Sequence, residues 1–481
     1  MRRNVHSRLA FGLLALLVAG CAGAAPRSLP KEVENALHEA NVPRDAMVAV
    51  VQEVGASGSR LSWQAQQPVN PASLMKLLTT HAALDLLGPA WTWTTPVWLQ
   101  GSVHDGVLEG NLVIKGSGDP KLVFERVWLM MRRVQQWGVR EIHGDIVLDR
   151  SAFNVPDQSP ADFDGEALRP YNVLPDALLL NYKSLSISIT PDPQRGSAVI
   201  AVDPSLGGVR SDTSVPLAAG HCEDWRAALK PDFNDPTRLH FAGSYASACG
   251  EKTWAVAYAD PKSYNARLLL GVWRDLGGTL IGTVRDGSAP ATPPSFELAS
   301  PSLAEVVRDI NKFSNNAMAQ QLFLTLGLRL RGQGTPEASR AVLHQWLGEH
   351  FGAPGRAAVI DNGSGLSRET RVSAQLLARL LQAAWGGRVM PELMSSLPVI
   401  GLDGTLRNSK TATGRAHLKT GSMSDTGVLG IAGYVLSHNG RRYVLVAVVN
   451  HPNAKDTRPA LDALVQWTAN DARAEAKPEA E

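Results

Sequence analysis

The segment "NPASLMKLLTT", residues 70–80, sets a serine and a lysine three positions apart at the start of a predicted helix. Residues three apart share a helix face, so Lys76 is within reach of the Ser73 hydroxyl. Asn70 suits the cap of that helix and Pro71 its first position. Ser73 then stands in the first turn, at the positive end of the helix dipole, where backbone N–H groups lack an intrahelical acceptor. Such an N–H can meet a developing oxyanion. A lysine shielded from water and near another cation has a lowered pKa and can accept the serine proton. The same spacing is common on helix surfaces, so partners elsewhere in the chain must decide.

Two later segments supply partners. "KFSNNA" contains Ser314 and Asn316, a hydroxyl that can relay a proton to a leaving amine and an amide that can hold a substrate carbonyl. Taken alone it reads equally as a helix cap. "HLKTGSMSD" opens a predicted strand with Lys419, Thr420, Gly421 and Ser422. Lys419 supplies positive potential and a hydrogen bond to Ser314. Thr420 can take a substrate carboxylate, and the Ser422 N–H is a second oxyanion donor. Gly421 is expected to let a substrate backbone approach the strand edge without meeting a Cβ. The bland alternative is a turn before "GVLGIAGYV".

The elements that must position these groups fall into three stretches. Residues 26–94 read as a helix at "KEVENALHEA", a strand at "AMVAVVQEV", a second strand from Arg60, and the Ser73 helix, stopped by Gly88 and Pro89. Residues 95–295 change texture to short alternating strands with few helices, closing on a linker-like "GSAPATPPS". From 296 to 470 helical periodicity resumes in "SLAEVVRDINKFSNNAMAQQLFLTLGLRL". Two strands joined by "NG" and a last helix follow. The first stretch alone is a thin core. Joined to the third it makes one α/β unit, interrupted by 95–295, which is expected to form two smaller β-rich domains. All three motifs lie outside the insert, so the insert is expected to serve substrate preference more than acylation. Residues 471–481 read as a disordered tail.

Composition limits the function classes. The chain has 481 residues, 44% hydrophobic and 19% charged, with net charge +2. Arg2, Arg3 and Arg8 belong to a leader-like N-terminus. Without them 44 basic residues face 45 acidic ones, which argues against a nucleic-acid partner. Residues 1–25 read as a secretory signal: basic residues, an apolar run from Leu9 to Gly20, then small residues. Two readings of its end stay open. "VAGC" resembles a lipoprotein box that would cleave after Gly20 and lipidate Cys21, giving a lipid anchor; the other is cleavage after Ala24 or Ala25. Export makes Cys222 and Cys249, 27 residues apart, a predicted disulfide, and their surroundings show no metal-ligand spacing.

S-x-x-K, S-x-N and K-T-G in this order are the signature set of penicillin-binding proteins and related β-lactamases. With "GNLVIKGSGDPKL", "LPDALLLNYKSL", "DNGSGLSR" and "GLDGTLRN", the chain resembles peptidase family S13 over nearly its whole mature length. That family comprises D-alanyl-D-alanine carboxypeptidases/endopeptidases of the penicillin-binding protein 4 type. The 237 residues between Lys76 and Ser314 are a typical insertion for it. The resemblance implies a penicillin-binding-protein/serine β-lactamase-like transpeptidase fold, an α/β (α+β) architecture with β-rich inserted domains. It implies Ser73 as nucleophile, Lys76 as base, Ser314 and Asn316 as the second element, and Lys419, Thr420 and Ser422 as the third side. It implies peptidoglycan stem peptides and cross-links as substrates, β-lactams as covalent inhibitors, a periplasmic location and no metal or organic cofactor. Ser422 stands where threonine is more usual, and Gln320 where an acidic residue often stands. The resemblance also implies an acidic insert residue that selects the amino-bearing side chain of the stem. Asp162 and Asp164 are the candidates, against the reading of a solvated loop. Asp361, Asn362 and Gly363, and Asp403 and Gly404, could border the site, but Asx-Gly turns are common and turn scaffold is the preferred reading. A serine β-lactamase or esterase and an inactive wall-binding module are the rival classes. The long insert argues against the first and the intact motifs against the second.

Overall fold

The structure, a computed structural model, describes residues 28–471. The leader with Cys21 and the tail beyond Asp471 lie outside them. Asp471, expected in the tail, is buried and takes hydrogen bonds from Tyr443, so the folded unit runs one residue further.

Along the chain come α1 (Lys31–Glu39), β1 (Met47–Glu53), β2 (Ser59–Trp63) and α2 (Met75–Leu87). The insert follows with β3 (Thr94–His104), β4 (Val107–Lys115), α3 (Phe124–Gln136), β5 (Ile146–Asp149), β6 (Ser184–Asp192), β7 (Ser197–Asp203), α4 (Tyr264–Asp275) and β8 (Phe296–Ala299). Then come α5 (Leu303–Phe313), α6 (Asn316–Arg331), α7 (Pro336–Phe351), α8 (Ala374–Gly386), β9 (Ala416–Met423), β10 (Val428–Leu436), β11 (Arg442–Asn450) and α9 (Arg458–Ala469).

The outer unit is built on an antiparallel sheet of order β2-β1-β11-β10-β9. Its central strand β11 is buried on both faces, and strand periodicity divides it between two cores. Val444, Val446 and Val448 face the core of α2, α5, α6 and α8, while Tyr443, Leu445, Ala447 and Val449 face α1 and α9. The sheet therefore carries helices on both faces, and β9 is one of its two edge strands.

The insert holds a seven-stranded and a five-stranded sheet that share one apolar cluster, from Leu112 and Ile146 to Ile187 and Ile200. Cys222 and Cys249 are bridged within it. Two boundaries differ from the sequence reading. Phe296–Ala299, expected in the outer unit, is a strand of the insert's sheet: it pairs with β3, and Phe296 joins the insert's core. The linker-like segment is pinned rather than loose. The Trp98 indole donates to the Thr292 carbonyl and the Leu99 N–H to the Ser295 hydroxyl.

In the other direction, residues after β5 leave the insert and pack on the outer unit. Phe153 and Ala177 belong to the outer helical core. Asp176 and Gln321, Tyr182 and Met318, and Tyr171 and Asn316 make hydrogen bonds between this segment and α6.

Candidate active site

The predicted helix start differs in detail. Ala72–Leu74 forms a single 3-10 turn and α2 begins at Met75. Pro71 rather than Asn70 takes the cap position of this turn, and Asn70 braces it, its side-chain oxygen accepting from the Ala72 N–H at 2.9 Å. Its backbone N–H and carbonyl are held by the Asn450 amide at 2.8 and 3.0 Å, and its own amide donates to the Ser367 carbonyl. The clamp sustains a left-handed Ala72, φ 45°, a conformation costing about 1 kcal/mol or more for a residue with a Cβ. Ser73 is thereby presented at the tip of the turn, half-buried, ahead of the helical hydrogen-bond ladder.

Lys76 is fully buried. Its Nζ lies 2.9 Å from Ser73 Oγ, 2.6 Å from Asn316 Oδ1 and 2.7 Å from the Ser364 carbonyl oxygen. The last two are acceptors only. A neutral amine has two protons and one lone pair; with both protons given to those acceptors, the lone pair faces the serine hydroxyl. Burial, and then the Lys419 cation, hold the Lys76 ammonium well below the usual lysine range.

The continuous periodicity of 303–331 conceals a break. Ser314 ends α5 in the left-handed region, φ 55°, and Asn315 caps α6 by accepting from the Met318 N–H. The capping reading of "SNN" falls on Asn315, while its neighbours Ser314 and Asn316 contact Lys419 and Lys76. The break lets α6 start with Asn316 aimed at Lys76 while Ser314 faces β9. There the buried Lys419 donates to Ser314 Oγ at 2.8 Å and to the Thr420 carbonyl at 2.7 Å, and burial brings its pKa to about 7.

On the sheet edge, the Ala416 carbonyl and the Leu418 N–H bond outward to Ile400 and Pro398. Strand alternation turns the backbone groups of Thr420 and Ser422 the same way, so the Ser422 N–H opens on the cleft. Gly421 has a structural reason beyond the one expected. A Cβ there would lie 2.7 Å from the Pro71 carbonyl oxygen and 3.1 Å from Leu74 Cγ. The glycine lets β9 lie against the nucleophile turn itself.

Asp162 and Asp164 stay outside this cluster of contacts. Asp162 is exposed and accepts from the Ser159 N–H. Asp164 accepts from the Tyr171 hydroxyl at 2.9 Å and the Asn172 amide at 2.7 Å, shaping the loop whose Tyr171 carbonyl takes the Asn316 amide at 3.1 Å. Sequence reasoning missed that carbonyl and that of Ser364. Asn362, read as scaffold, shapes the loop that carries Ser364 by accepting from its N–H and hydroxyl. Among the described residues no group of three or more His, Cys, Asp and Glu could hold a metal ion, and no helix is long and apolar enough to cross a membrane.

A sheet with helices on both faces and a Ser–Lys pair set against Ser314 and Lys419 defines the penicillin-binding-protein fold. The solved structure of penicillin binding protein 4 from Haemophilus influenzae matches with a TM-score of 0.71 at 20% identity, over 90% of this chain and 99% of that one. The chain belongs to the D-Ala-D-Ala carboxypeptidase 3 (S13) family, whose model matches residues 29–471. A D-alanyl-D-alanine carboxypeptidase of Actinomadura is 27% identical over 461 residues, 90% of this chain and 83% of that protein. D-alanyl-D-alanine carboxypeptidase DacB of Haemophilus influenzae is 24% identical over 420 residues, 83% of this chain and 84% of that protein.

Proposed function

We propose that the protein cleaves D-Ala-D-Ala termini of peptidoglycan stem peptides through an acyl-enzyme at Ser73. The observation that carries this reading is the three-way environment of Lys76 Nζ, which leaves a lone pair for the Ser73 hydroxyl. Ser73 Oγ attacks the carbonyl carbon of the penultimate D-alanine and its proton passes to Lys76. The oxyanion meets the Ser73 and Ser422 N–H groups. As the C–N bond breaks, the leaving amine takes a proton through Ser314, beside Lys419. Water, deprotonated by Lys76, then releases the acyl group as a carboxylate.

A β-lactam enters the same path, and its ring nitrogen stays tethered to the acyl group. A complex of penicillin binding protein 4 from Haemophilus influenzae with a β-lactam supports extending this to the present chain. We extend the reading to D,D-endopeptidase action on cross-links, a fold shared with a predatory endopeptidase from Bdellovibrio bacteriovorus (TM-score 0.51, 15% identity) supporting the extension. Asp162 and Asp164 remain the proposed sources of side-chain preference, Asp164 acting through the loop it shapes. The place of action is the periplasm.

The test is penicillin treatment followed by intact mass and peptide mapping. One penicilloyl group on Ser73 is expected. A folded Ser73→Ala protein carrying a stoichiometric adduct elsewhere overturns the assignment.

A further inference from the structure

Thr405 belongs to none of the three motifs, yet its hydroxyl lies 2.8 Å from that of Thr420. It stands on a one-turn 3-10 helix, Gly404–Leu406, that the structure fixes with unusual care for an exposed loop. Asp403, which opens the turn, accepts from the Lys312 ammonium at 2.6 Å and from the Val399 N–H at 2.7 Å. Lys312 is buried and stands two residues before Ser314 on the last turn of α5. Gly404 takes φ +56°, and a Cβ on it would come within 2.6 Å of the Lys312 carbonyl oxygen. The helix end that sets Ser314 therefore also sets Thr405.

A hydrogen bond between two exposed hydroxyls contributes little on its own, on the order of 1 kcal/mol, and does not account for a buried lysine organised beneath it. The arrangement fits an anion. Each hydroxyl carries one proton; unliganded, one of the pair donates to the other. When a carboxylate arrives both can turn outward, and two donors at this spacing match its two oxygens. Lys419, bonded to the Thr420 carbonyl, adds positive potential behind them.

We propose that Thr405 is a substrate-binding residue whose hydroxyl, paired with that of Thr420, receives the terminal carboxylate of the scissile D-alanine or of penicillin. This rests on the acyl-enzyme reading above. Thr405 differs from Thr420 in origin: it comes from the loop before the strand, so carboxylate recognition is divided between β9 and the end of α5.

The experiment measures kcat/KM of Thr405→Val, Thr405→Ala and Thr405→Ser on a D-Ala-D-Ala peptide and on the same peptide with its terminal carboxylate amidated. Thermal melts of each variant confirm folding. Loss of one hydrogen bond to a charged group predicts an about ten- to hundredfold fall on the acid for Val and Ala. A change of less than about threefold is expected on the amide, with near-complete recovery in Ser. An equal fall on acid and amide, or no fall, overturns the proposal. In a Thr420→Val background the Thr405→Val penalty should persist in part. Its complete disappearance would show Thr405 acting only through Thr420, which also overturns direct contact. Wild-type protein treated with penicillin serves as the separate check: absence of a Ser73 adduct there defeats the acyl-enzyme reading itself, whatever Thr405 does.

Discussion

Asp176 and Gln321 exchange two hydrogen bonds: the Asp176 N–H donates to the Gln321 side-chain oxygen at 2.9 Å, and the Gln321 amide donates to the Asp176 carbonyl at 2.8 Å. Both residues are buried, and they join a segment of the insert to the helix that begins with Asn316. Gln321→Leu keeps the volume and strands both backbone groups of Asp176. We expect about 2–4 kcal/mol of destabilisation, read as a lowered melting temperature, with slower acylation as the Tyr171–Asn316 contact loosens. A stability unchanged by this substitution would show that the clamp contributes nothing.

The same clamp alters the expectation that the insert serves substrate preference more than acylation. Deleting residues 95–295 also deletes Phe153 and Ala177 from the outer core and the Tyr171 acceptor from Asn316. We expect that deletion to yield no folded, penicillin-reactive protein. A variant that keeps residues 150–183 in place is expected to fare better. A fully active deletion variant would contradict the packing.

Lys76→Ala leaves Ser73 without a proton acceptor, while Asn316 and the Ser364 carbonyl lose their donor. Acylation by penicillin is expected to fall about 10²–10⁴-fold, followed by the growth of adduct mass with time. Ser314→Ala should cost less alone. Because both residues move the same proton, the double variant should be little worse than Lys76→Ala. A double penalty equal to the product of the singles would contradict a shared relay.

In the proposed path acylation needs Lys76 neutral and Lys419 cationic. Lys76 has its pKa held low and Lys419 titrates at about 7. The rate constant kcat/KM should therefore rise with pH through the Lys76 range and fall again as Lys419 loses its proton near neutrality. Stability carries its own signature. Lys419 has a folded pKa far below the ordinary lysine value of 10.5, so between about 7 and 10.5 the unfolded chain binds more protons than the folded one. Its contribution to stability consequently grows as pH rises across that window. Lys419→Met removes it, so the variant's stability advantage over wild type should shrink from pH 7 to pH 10. A gap that is flat or widening, measured by denaturant titration, would contradict a desolvated lysine.

Cys222–Cys249 lies wholly within the insert and contributes no group to the cleft. Replacing both by serine should lower the insert's resistance to unfolding by about 3 kcal/mol, in the chain-entropy account, and leave the rate of Ser73 acylation unchanged. Limited proteolysis and adduct kinetics on the same sample check both halves.

The chemistry was legible where side-chain type and local spacing carry it. Lys76 shares a helix face with Ser73 whatever the rest of the fold does, and "NG" between two apolar runs leaves few alternatives to a hairpin. What stayed hidden depends on backbone groups and on distant packing. The Ser364 and Tyr171 carbonyls are invisible because every residue carries one. The break at Ser314 hid inside an unbroken apolar periodicity. Phe296–Ala299 is too short and too near prolines to read as a strand, and only its partner Thr94–Ala299 neighbourhood reveals it. Thr405 lies in "GLDGTLRN", which carries the resemblance but no reading of this hydroxyl; its meaning comes from Lys312 and Asp403 beneath it.

The sheet order places β1 beside β11, with Met47 opposite Val449. Ser73 is made early, but Asn450, which grips Asn70, is made 380 residues after Asn70. A chain leaving the ribosome or the export channel N-terminus first thus carries its serine without the support that presents it. The insert has every one of its own strands in hand well before then. On the proposed reading, reactivity toward penicillin is expected to arrive only at the end of synthesis, and an incomplete chain that stops before Arg442 is expected to be silent, however well its middle has folded.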